Sequence, residues 1–368
     1  MNQTMQLNLT RLLKVLAVLC SAHWLCASDV ASLTEQAELV VVGKAARQGA
    51  TAAGTVTATL RVDRILKGAV GASVTVEIEP FRAGAQALIR LPNECGMWFL
   101  VPKGGDKWRP VVQNPDPSYF PVPNCVGASS LTPPSGAQLA DRIALELISA
   151  ADSFEGQKEY AGRLYSLLGR RLPMARAELV ANFSSRRNPH LLATALAFQI
   201  EQQDAAALQR MELDSELFAQ SPARFGLYNA VSKYRNPQLS GVQVLGRIVS
   251  RSGAPATRYL QSPASEALAM IHTQDTVPYL VDLLSSSDSR FRAWAVHGLS
   301  LFRLKLPPQT DDKFQFAVRD ALHPGGQPLA GKEREFIHFG RFQDPATEAA
   351  HVAYYQSWWA ENRAALGF

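Results

Sequence analysis

The sequence has little cysteine and no apolar run long enough to cross a membrane. Its 368 residues include four cysteines, and no two of them form a Cys-x-x-Cys pair. The apolar run from Leu12 to Leu19 is too short to span a bilayer, and no other run reaches transmembrane length. These absences exclude a thioredoxin-type redox motif and predict no membrane span. The chain length and an apolar content of 47% predict two or three folded domains.

Catalytic and metal-binding patterns are also missing. Seven histidines are scattered along the chain, and no two of them form a His-Glu-x-x-His pair. There is no Gly-x-Ser-x-Gly elbow, no Ser-x-x-Lys and no Gly-rich phosphate loop. His272 and His297 are expected on stacked helices, but the sequence offers no third ligand, so we interpret both as structural. The sequence therefore predicts a protein that is not an enzyme and that uses no metal or cofactor.

Residues 1–27 have the pattern of a secretory signal. Arg11 and Lys14 precede an apolar segment, and small residues follow it. Cleavage after Ala22 and cleavage after Ala27 both fit this pattern, and we prefer the second. The pattern predicts an exported protein that is periplasmic or secreted.

Cleavage after Ala27 leaves two cysteines, Cys95 and Cys125. An even pair in an oxidising compartment predicts a disulfide between them. The earlier cleavage would leave Cys26 as an additional, odd thiol. Residues 113–136 contain six prolines, a density that favours extended structure and disfavours both helix and central strand. We interpret this stretch as a linker that the predicted disulfide holds against the preceding domain.

The positive charge of the chain is modest. The net charge is +5, and loss of Arg11 and Lys14 with the leader lowers it to +3, so no nucleic-acid partner is predicted. The densest basic stretch lies in the helical part of the sequence. Its candidate contacts for an anionic partner are Arg163, Arg170, Arg171, Arg186 and Arg187. The alternative interpretation is a solvated helix face whose charge is balanced by nearby glutamates.

Between residues 38 and 112 the apolar residues follow the pattern of short β-strands. Apolar and polar residues alternate along several of these segments, as in a strand with one buried face. Lys103 and the two glycines after it indicate a hairpin turn. The predicted strands are Leu39 to Gly43, Val56 to Val62, Val74 to Ile78, Met97 to Val101 and Trp108 to Val112. Five short strands at this spacing predict a small closed or partly closed barrel.

These strands and their turns resemble the bacterial relatives of the netrin-like, metalloproteinase-inhibitor-type OB barrel. The matching segments are Glu38 to Lys44, Val62 to Gly68, Val74 to Val76, and Cys95 ahead of Trp98 to Val101. The resemblance covers about residues 30–112 and implies an OB-like β-barrel. Inhibitors of that family chelate the protease zinc with an N-terminal cysteine. Cys26 would take that place only after cleavage behind Leu25, a poor residue for cleavage, so inhibition by this route is not expected.

The remainder of the chain, from residue 137, has a helical pattern. Its clearest part, residues 263–303, contains three short amphipathic helices whose apolar residues recur at i, i+3, i+4 and i+7. Helices this short cannot bury their apolar stripes alone, so they are expected to stack. Weaker copies around Ala195 and Tyr228 indicate a repeat of about 36 residues.

Residues 263–303 resemble the HEAT family of helical repeats. The matching segments are Ala267-Leu-Ala-x-Ile271, Val277-Pro-x-Leu-x-x-Leu-Leu284 and Asp288-x-x-Phe-Arg292-x-x-Ala-Val296. The resemblance implies an α-solenoid that binds partners or acts as a spacer. It also implies that Asp288 and Arg292 join neighbouring repeats. A terminal helix with Trp358 and Trp359 is expected to cap the stack.

Together these patterns predict an α+β multidomain protein in which a small OB-like β-barrel precedes a HEAT-like α-solenoid. The predicted parts are a signal peptide at 1–27, the barrel at 28–112, a proline-rich linker at 113–136 and the solenoid at 137–368. We expect a non-catalytic exported protein that recognises or scaffolds a protein partner, mainly through the helical-repeat surface. The alternative is a regulator or inhibitor of an extracytoplasmic protease that acts through the barrel edge around Cys95.

Overall fold

The computed structural model describes residues 29–50, 55–78, 95–111, 119–121, 137–153, 164–169, 171–183, 188–221, 223–251, 258–303, 337–338, 341–342 and 345–368. The chain divides into two compact units, Met1–Phe183 and Ser184–Phe368, which we call the barrel unit and the helical unit. Each unit contains its own set of buried apolar side chains. The fold is therefore α+β, with a closed five-stranded barrel followed by helices.

Five strands close the barrel. They are β1 (Leu39–Ala50), β2 (Val56–Lys67), β3 (Ser73–Ile78), β4 (Cys95–Gly104) and β5 (Lys107–Pro110). Their order is β1-β2-β3-β5-β4, and β4 pairs back with β1 to complete the circle. Neighbouring strands are antiparallel except for β3 and β5, which are parallel. A register shift between Val42 and Gly43 marks a bulge in β1, and bulges help a small barrel to close.

Alternating apolar side chains of the strands form the barrel core. This core contains Leu39, Val41, Ala45, Ala58, Leu60, Val74, Val76, Ile78, Trp98 and Leu100. The intervening residues of β1 and β4, including Val40 and Phe99, are buried as well. A strand that is buried on both faces has a continuous apolar run in place of alternation. This double burial explains the unbroken apolar sequence at the start of β1.

A sixth strand lies within the predicted linker. β6 (Tyr119–Pro121) pairs with the side of β4 at Gly96 to Trp98, and it is an edge strand of the sheet. Phe120 is 1% exposed and packs edge-on against Phe99, with ring centroids 5.7 Å apart. The linker at 113–136 stays a prediction, and its three described residues are extended, as the proline density favours. Burial of the aromatic ring favours pairing there, and an edge strand tolerates the proline that ends it.

Among the described residues of the first unit, three helices have defined limits. They are α1 (Val30–Gln36), α2 (Leu139–Ser153) and α3 (Pro173–Phe183). The Lys67 ammonium of β2 donates to the carbonyl oxygens of Thr34 and Ala37 at the end of α1, at 2.7 and 2.6 Å. Arg64 donates to both carboxylate oxygens of Glu146 in α2, at 3.2 and 2.7 Å. The first helices after the linker thus belong to the same compact unit as the barrel, while the predicted boundary at residue 137 stays a prediction.

In its described ranges the helical unit consists mainly of helices. The helices are α4 (Pro189–Glu201), α5 (Ala205–Leu213), α6 (Ser215–Ala219), α7 (Arg224–Ser232), α8 (Leu239–Ser250), α9 (Arg258–Ile271), α10 (Val277–Leu283), α11 (Ser289–Arg303) and α12 (Pro345–Asn362). A two-stranded ladder of β7 (Ile337–His338) and β8 (Arg341–Phe342) precedes α12. No helix in the described ranges combines the length and the apolar character needed to cross a membrane.

These helices pack in two rows. In one row α4 packs on α7, α7 on α9, and α9 on α11. In the other row α5 packs on α8, α8 on α10, and α10 on α12. Contacts of α4 with α5, α8 with α9, α9 with α10, and α11 with α12 join the rows. Helices of the first row begin at residues 189, 224, 258 and 289, intervals close to the predicted repeat of about 36 residues.

Local sequence sets the start of α4, whereas packing sets the start of α9. Asn188 caps α4 as its sequence position suggests, and its side-chain oxygen accepts from the backbone N–H groups of His190 and Leu191. The predicted repeat segment starts at Pro263, and this proline lies inside α9, which begins at Arg258. Leu260, in the turn of α9 that precedes the proline, is fully buried. This packing outweighs the helix-breaking tendency of proline.

Candidate functional site

A groove of about 1540 Å³ lies on the helical unit. Its walls are the first turns of α7, α9 and α11 together with the last turns of α8 and α10. The turn between α10 and α11 contributes Ser285 to Asp288 to its lining, and α11 contributes its first residue, Ser289. The groove exists because the two rows alternate along the chain, so that the starts of one row and the ends of the other meet at one side of the stack.

Three tyrosines line the groove, Tyr228, Tyr259 and Tyr279. The Tyr259 hydroxyl oxygen is buried and has no hydrogen-bond partner among the described residues. Burial also raises the pKa of Tyr259 above its ordinary value, which keeps the hydroxyl protonated and able to donate. Tyr279 packs directly over Gly246, where any larger residue would collide with its ring. The groove thus presents aromatic surface and one hydroxyl without a partner.

Three arginines lie along the same groove, Arg224, Arg258 and Arg290. Arg290 is held by Asp288, with a shortest contact of 2.6 Å, and this hydrogen bond raises its pKa. Arg224 donates to the Ala219 carbonyl oxygen at 2.9 Å. Arg224 and Arg258 are exposed, and neither has an ion pair within the described part of the chain. Two cationic side chains are therefore available to an incoming group.

Each of these arginines is followed directly by an aromatic residue at the start of a first-row helix. The three pairs are Arg224-Phe225, Arg258-Tyr259 and Arg290-Phe291, and the arginines are 34 and 32 residues apart. A positive charge in the first turn of a helix is unfavourable to the helix dipole. Helix formation therefore does not explain why arginine recurs at this place.

The predicted basic stretch is only partly within the described residues. Arg163, Arg170, Arg186 and Arg187 lie outside them, so the prediction of an anionic contact surface there stays a prediction. Arg171 is described, and its guanidinium forms an ion pair with Glu35 and donates to the Ser32 hydroxyl at 3.2 Å. The hydrogen bond to Glu35 raises the pKa of Arg171. At this position the arginine joins two parts of its own unit.

Cys95 is the first residue of β4, and its sulfur belongs to a disulfide bond. The predicted partner, Cys125, lies outside the described residues, so the pairing of these two cysteines stays a prediction. β4 is paired with β1 from Cys95 to Leu100 and with β6 from Gly96 to Trp98. The barrel edge around Cys95 is consequently covered by strands on both sides.

The two histidines considered in the sequence lie against aromatic rings. His297 is buried, its ring centroid is 6.0 Å from that of Trp294, and burial lowers its pKa to about 4. The His272 ring lies 5.9 Å from Phe302, and its backbone has a φ of 59°. No group of three potential metal ligands occurs among the residues that the structure describes.

The groove residues escaped the sequence prediction. The predicted site residues include neither Ser285 to Ser289 nor the groove arginines. The signal that could have found them is the recurring arginine–aromatic pair, which has nearly the same spacing as the helical repeat. Comparisons of this chain with protein-family models, with curated protein sequences and with solved structures found no match.

Proposed function

We propose that this chain is an exported, non-catalytic protein-recognition protein whose helical unit is a HEAT-like α-solenoid that binds a protein partner. The observation that carries the proposal is the pair of parallel helix rows. Within each row the helices pack on one another in succession, and contacts of α4 with α5, α8 with α9, α9 with α10, and α11 with α12 join the rows. Stacked helix pairs of about 35 residues are the architecture of helical-repeat proteins, whose extended surfaces bind partners.

The barrel supports the first half of the predicted architecture. Its strand order, with β1 between β2 and β4 and with β3 parallel to β5, is compatible with an OB-like barrel. The groove on the helical unit supports recognition by that unit, because it combines tyrosine rings with arginine side chains. Tyrosine and arginine are the residues that most often dominate binding energy at protein interfaces.

The protease-inhibitor alternative has less support. It requires an accessible barrel edge around Cys95, and β4 is flanked there by β1 and β6. An edge strand binds another polypeptide through unpaired backbone groups, and this part of β4 has its neighbours already. Recognition through the helical unit is therefore the function we propose.

Site-specific photo-crosslinking in the producing cells tests the proposal. A photoreactive amino acid replaces Ser262 or Ser285, both of which line the groove, and in a matched control it replaces the exposed Ser73 of β3. We expect discrete protein adducts from the groove positions and none from Ser73. Adducts from Ser73 as abundant as those from the groove positions would contradict recognition through the groove, and the absence of adducts from all three positions would contradict protein recognition.

Export is tested by the intact mass of the protein recovered outside the cytoplasm. We expect a chain that begins at Ser28 and whose two cysteines react with an alkylating reagent only after reduction. A chain that retains residues 1–27, or whose cysteines react without reduction, would contradict this part of the proposal.

A further inference from the structure

We propose that the groove binds an extended, acidic segment of the partner polypeptide, with partner carboxylates on Arg224 and Arg258 and one acceptor oxygen on Tyr259. This inference rests on the proposed function and adds to it the chemistry of the partner. It depends on three observations of the helical unit: exposed cations without ion pairs, a buried donor without an acceptor, and a groove that is open along the repeats.

The charge of the groove favours an anionic occupant. Of the ionisable side chains that line it, Arg290 and Asp288 neutralise each other. Arg224, Arg258 and Asp282 remain, which leaves one net positive charge. Both remaining arginines stand in first turns of helices, where the dipole disfavours a cation and favours an anion. A carboxylate placed between an arginine and the start of its helix would be stabilised by both.

The tyrosines add a hydrogen-bond donor and aromatic surface to the charge that the arginines supply. Tyr259 and Arg224 line the same groove, so one segment of a ligand can contact both. A buried hydroxyl without a partner is unfavourable in the free protein, and an acceptor oxygen of a ligand would satisfy it. Tyr228 and Tyr279 add ring surface on which the apolar part of a peptide can pack. The site therefore fits a carboxylate next to an apolar side chain.

The repeat geometry favours an extended occupant. The arginine–aromatic pair recurs at the starts of three successive helices of one row, so equivalent positions follow one another along the groove. An extended peptide presents its side chains at regular intervals and can contact one position after another. A compact anion would occupy one position and leave the others unused.

Fluorescence anisotropy of the full exported chain tests the inference. The probes are three fluorescein-labelled peptides of twelve residues, in which leucine and alanine alternate with glutamate, glutamine or lysine. At low ionic strength, where charge interactions are least screened, we expect the glutamate peptide to bind at least about tenfold more tightly than the glutamine peptide. The lysine peptide should bind most weakly of the three.

Variants of the groove locate the binding. R224Q and R258Q should each weaken binding of the glutamate peptide by about tenfold, whereas R363Q, a substitution outside the groove lining, should leave it unchanged. The Y259F variant distinguishes the loss of a binding contact from a loss of stability. Removal of a buried hydroxyl without a partner should leave thermal stability equal or higher, while binding becomes weaker.

Equal affinity for the glutamate and glutamine peptides overturns the inference, as does failure of all three peptides to bind. Tight binding that R224Q and R258Q leave unchanged overturns it too. None of these results affects the crosslinking test. Groove adducts together with no preference for glutamate would leave the proposed function in place and remove only the acidic character of the partner.

Discussion

Two buried ionisable side chains of the helical unit make its stability depend on pH, and their effects have opposite signs. Burial lowers the pKa of His297 from 6.5 to about 4, so between these values the unfolded chain binds a proton that the folded chain does not. This makes stability rise with pH. Burial raises the pKa of Glu266 from 4.5 to about 7, so the folded chain holds a proton that the unfolded chain has lost. This makes stability fall as pH rises.

Between pH 4.5 and 6.5 the two effects should offset each other, and single variants should separate them. We expect H297F to become more stable as the pH falls through this range and E266Q to become less stable. Each change should be at most about 1.4 kcal/mol per pH unit. Urea unfolding at three pH values measures both slopes. The double variant should regain the wild-type profile, and a wild-type profile in both single variants would contradict the assignment.

Glu212 is a buried carboxylate that joins two helices of the second row. It is 1% exposed and lies 2.6 Å from Arg247 on α8 and 3.1 Å from Arg251, the residue that follows α8. The hydrogen bond to Glu212 raises the pKa of Arg247. The arginines are almost half exposed, so water can solvate them when the carboxylate is lost.

We therefore expect E212Q to lower the free energy of unfolding by only about 1–2 kcal/mol. This loss is smaller than the loss expected when a buried charge is left without its partner. The exposed Glu216 is the matched control, and E216Q should change stability by less than about 0.5 kcal/mol. Denaturant titrations of both variants measure the difference. Equal stability of the two would show that the ion pairs do not hold α5 to α8.

At the scale of elements, Gly298 allows α9 and α11 to approach closely. A Cβ atom at this position would lie 2.7 Å from the Cα of Ala269 and 2.7 Å from a methyl carbon of Leu280. Backbone atoms cannot move aside as a flexible side chain can, so an added methyl group must separate the helices.

We expect G298A to lower the free energy of unfolding by about 1–3 kcal/mol through overpacking. In a helix without such a neighbour, the same change would stabilise by about 0.5–1 kcal/mol. G71A is the control, because a methyl group at Gly71, in the loop between β2 and β3, meets nothing within 4 Å. Thermal unfolding of both variants measures the effect, and a stabilised G298A would contradict the close approach.

The last helix is attached to its neighbour by polar contacts. Arg292 of α11 donates to Glu348 of α12 at 2.6 Å, and the Ser289 hydroxyl donates to the same carboxylate at 3.0 Å. Arg292 therefore joins two neighbouring helices, while its role between repeats stays a prediction. Asp288 accepts hydrogen bonds from Arg290, two residues along the chain.

At the scale of the molecule, the two compact units should unfold as separate cooperative parts. Each has its own buried core, which is the condition for independent folding of a domain. We expect calorimetry to show two transitions. G298A should shift only the transition of the helical unit, and E146Q, which weakens the Arg64 contact, should shift only that of the barrel unit. A single transition that both variants shift equally would contradict this expectation.

Much of the fold could be predicted, because the spacing of apolar residues within short segments indicates which segments form strands and which form helices. The alternation of Val56, Ala58 and Leu60 corresponds to their burial in β2, and the stripe from Ala264 to Ile271 corresponds to the buried face of α9. β6 could not be predicted, because three residues among prolines show no periodicity. Phe120 is buried there against the ring of Phe99, which is distant in the sequence. The groove could not be predicted either, because residues such as Arg224 and Arg290 are far apart in the chain and only the packing of the helices brings them to one groove.

The sequence by itself determined the α+β class, the strands of the barrel and the repeating helices, because apolar periodicity is a local property that burial of one face enforces. Only the tertiary structure decided which helix ends face a common groove, that the edge around Cys95 is covered, and that Arg171 pairs within its own unit. These features depend on contacts between residues that are distant along the chain, and no spacing in the sequence encodes which charges remain without partners after packing.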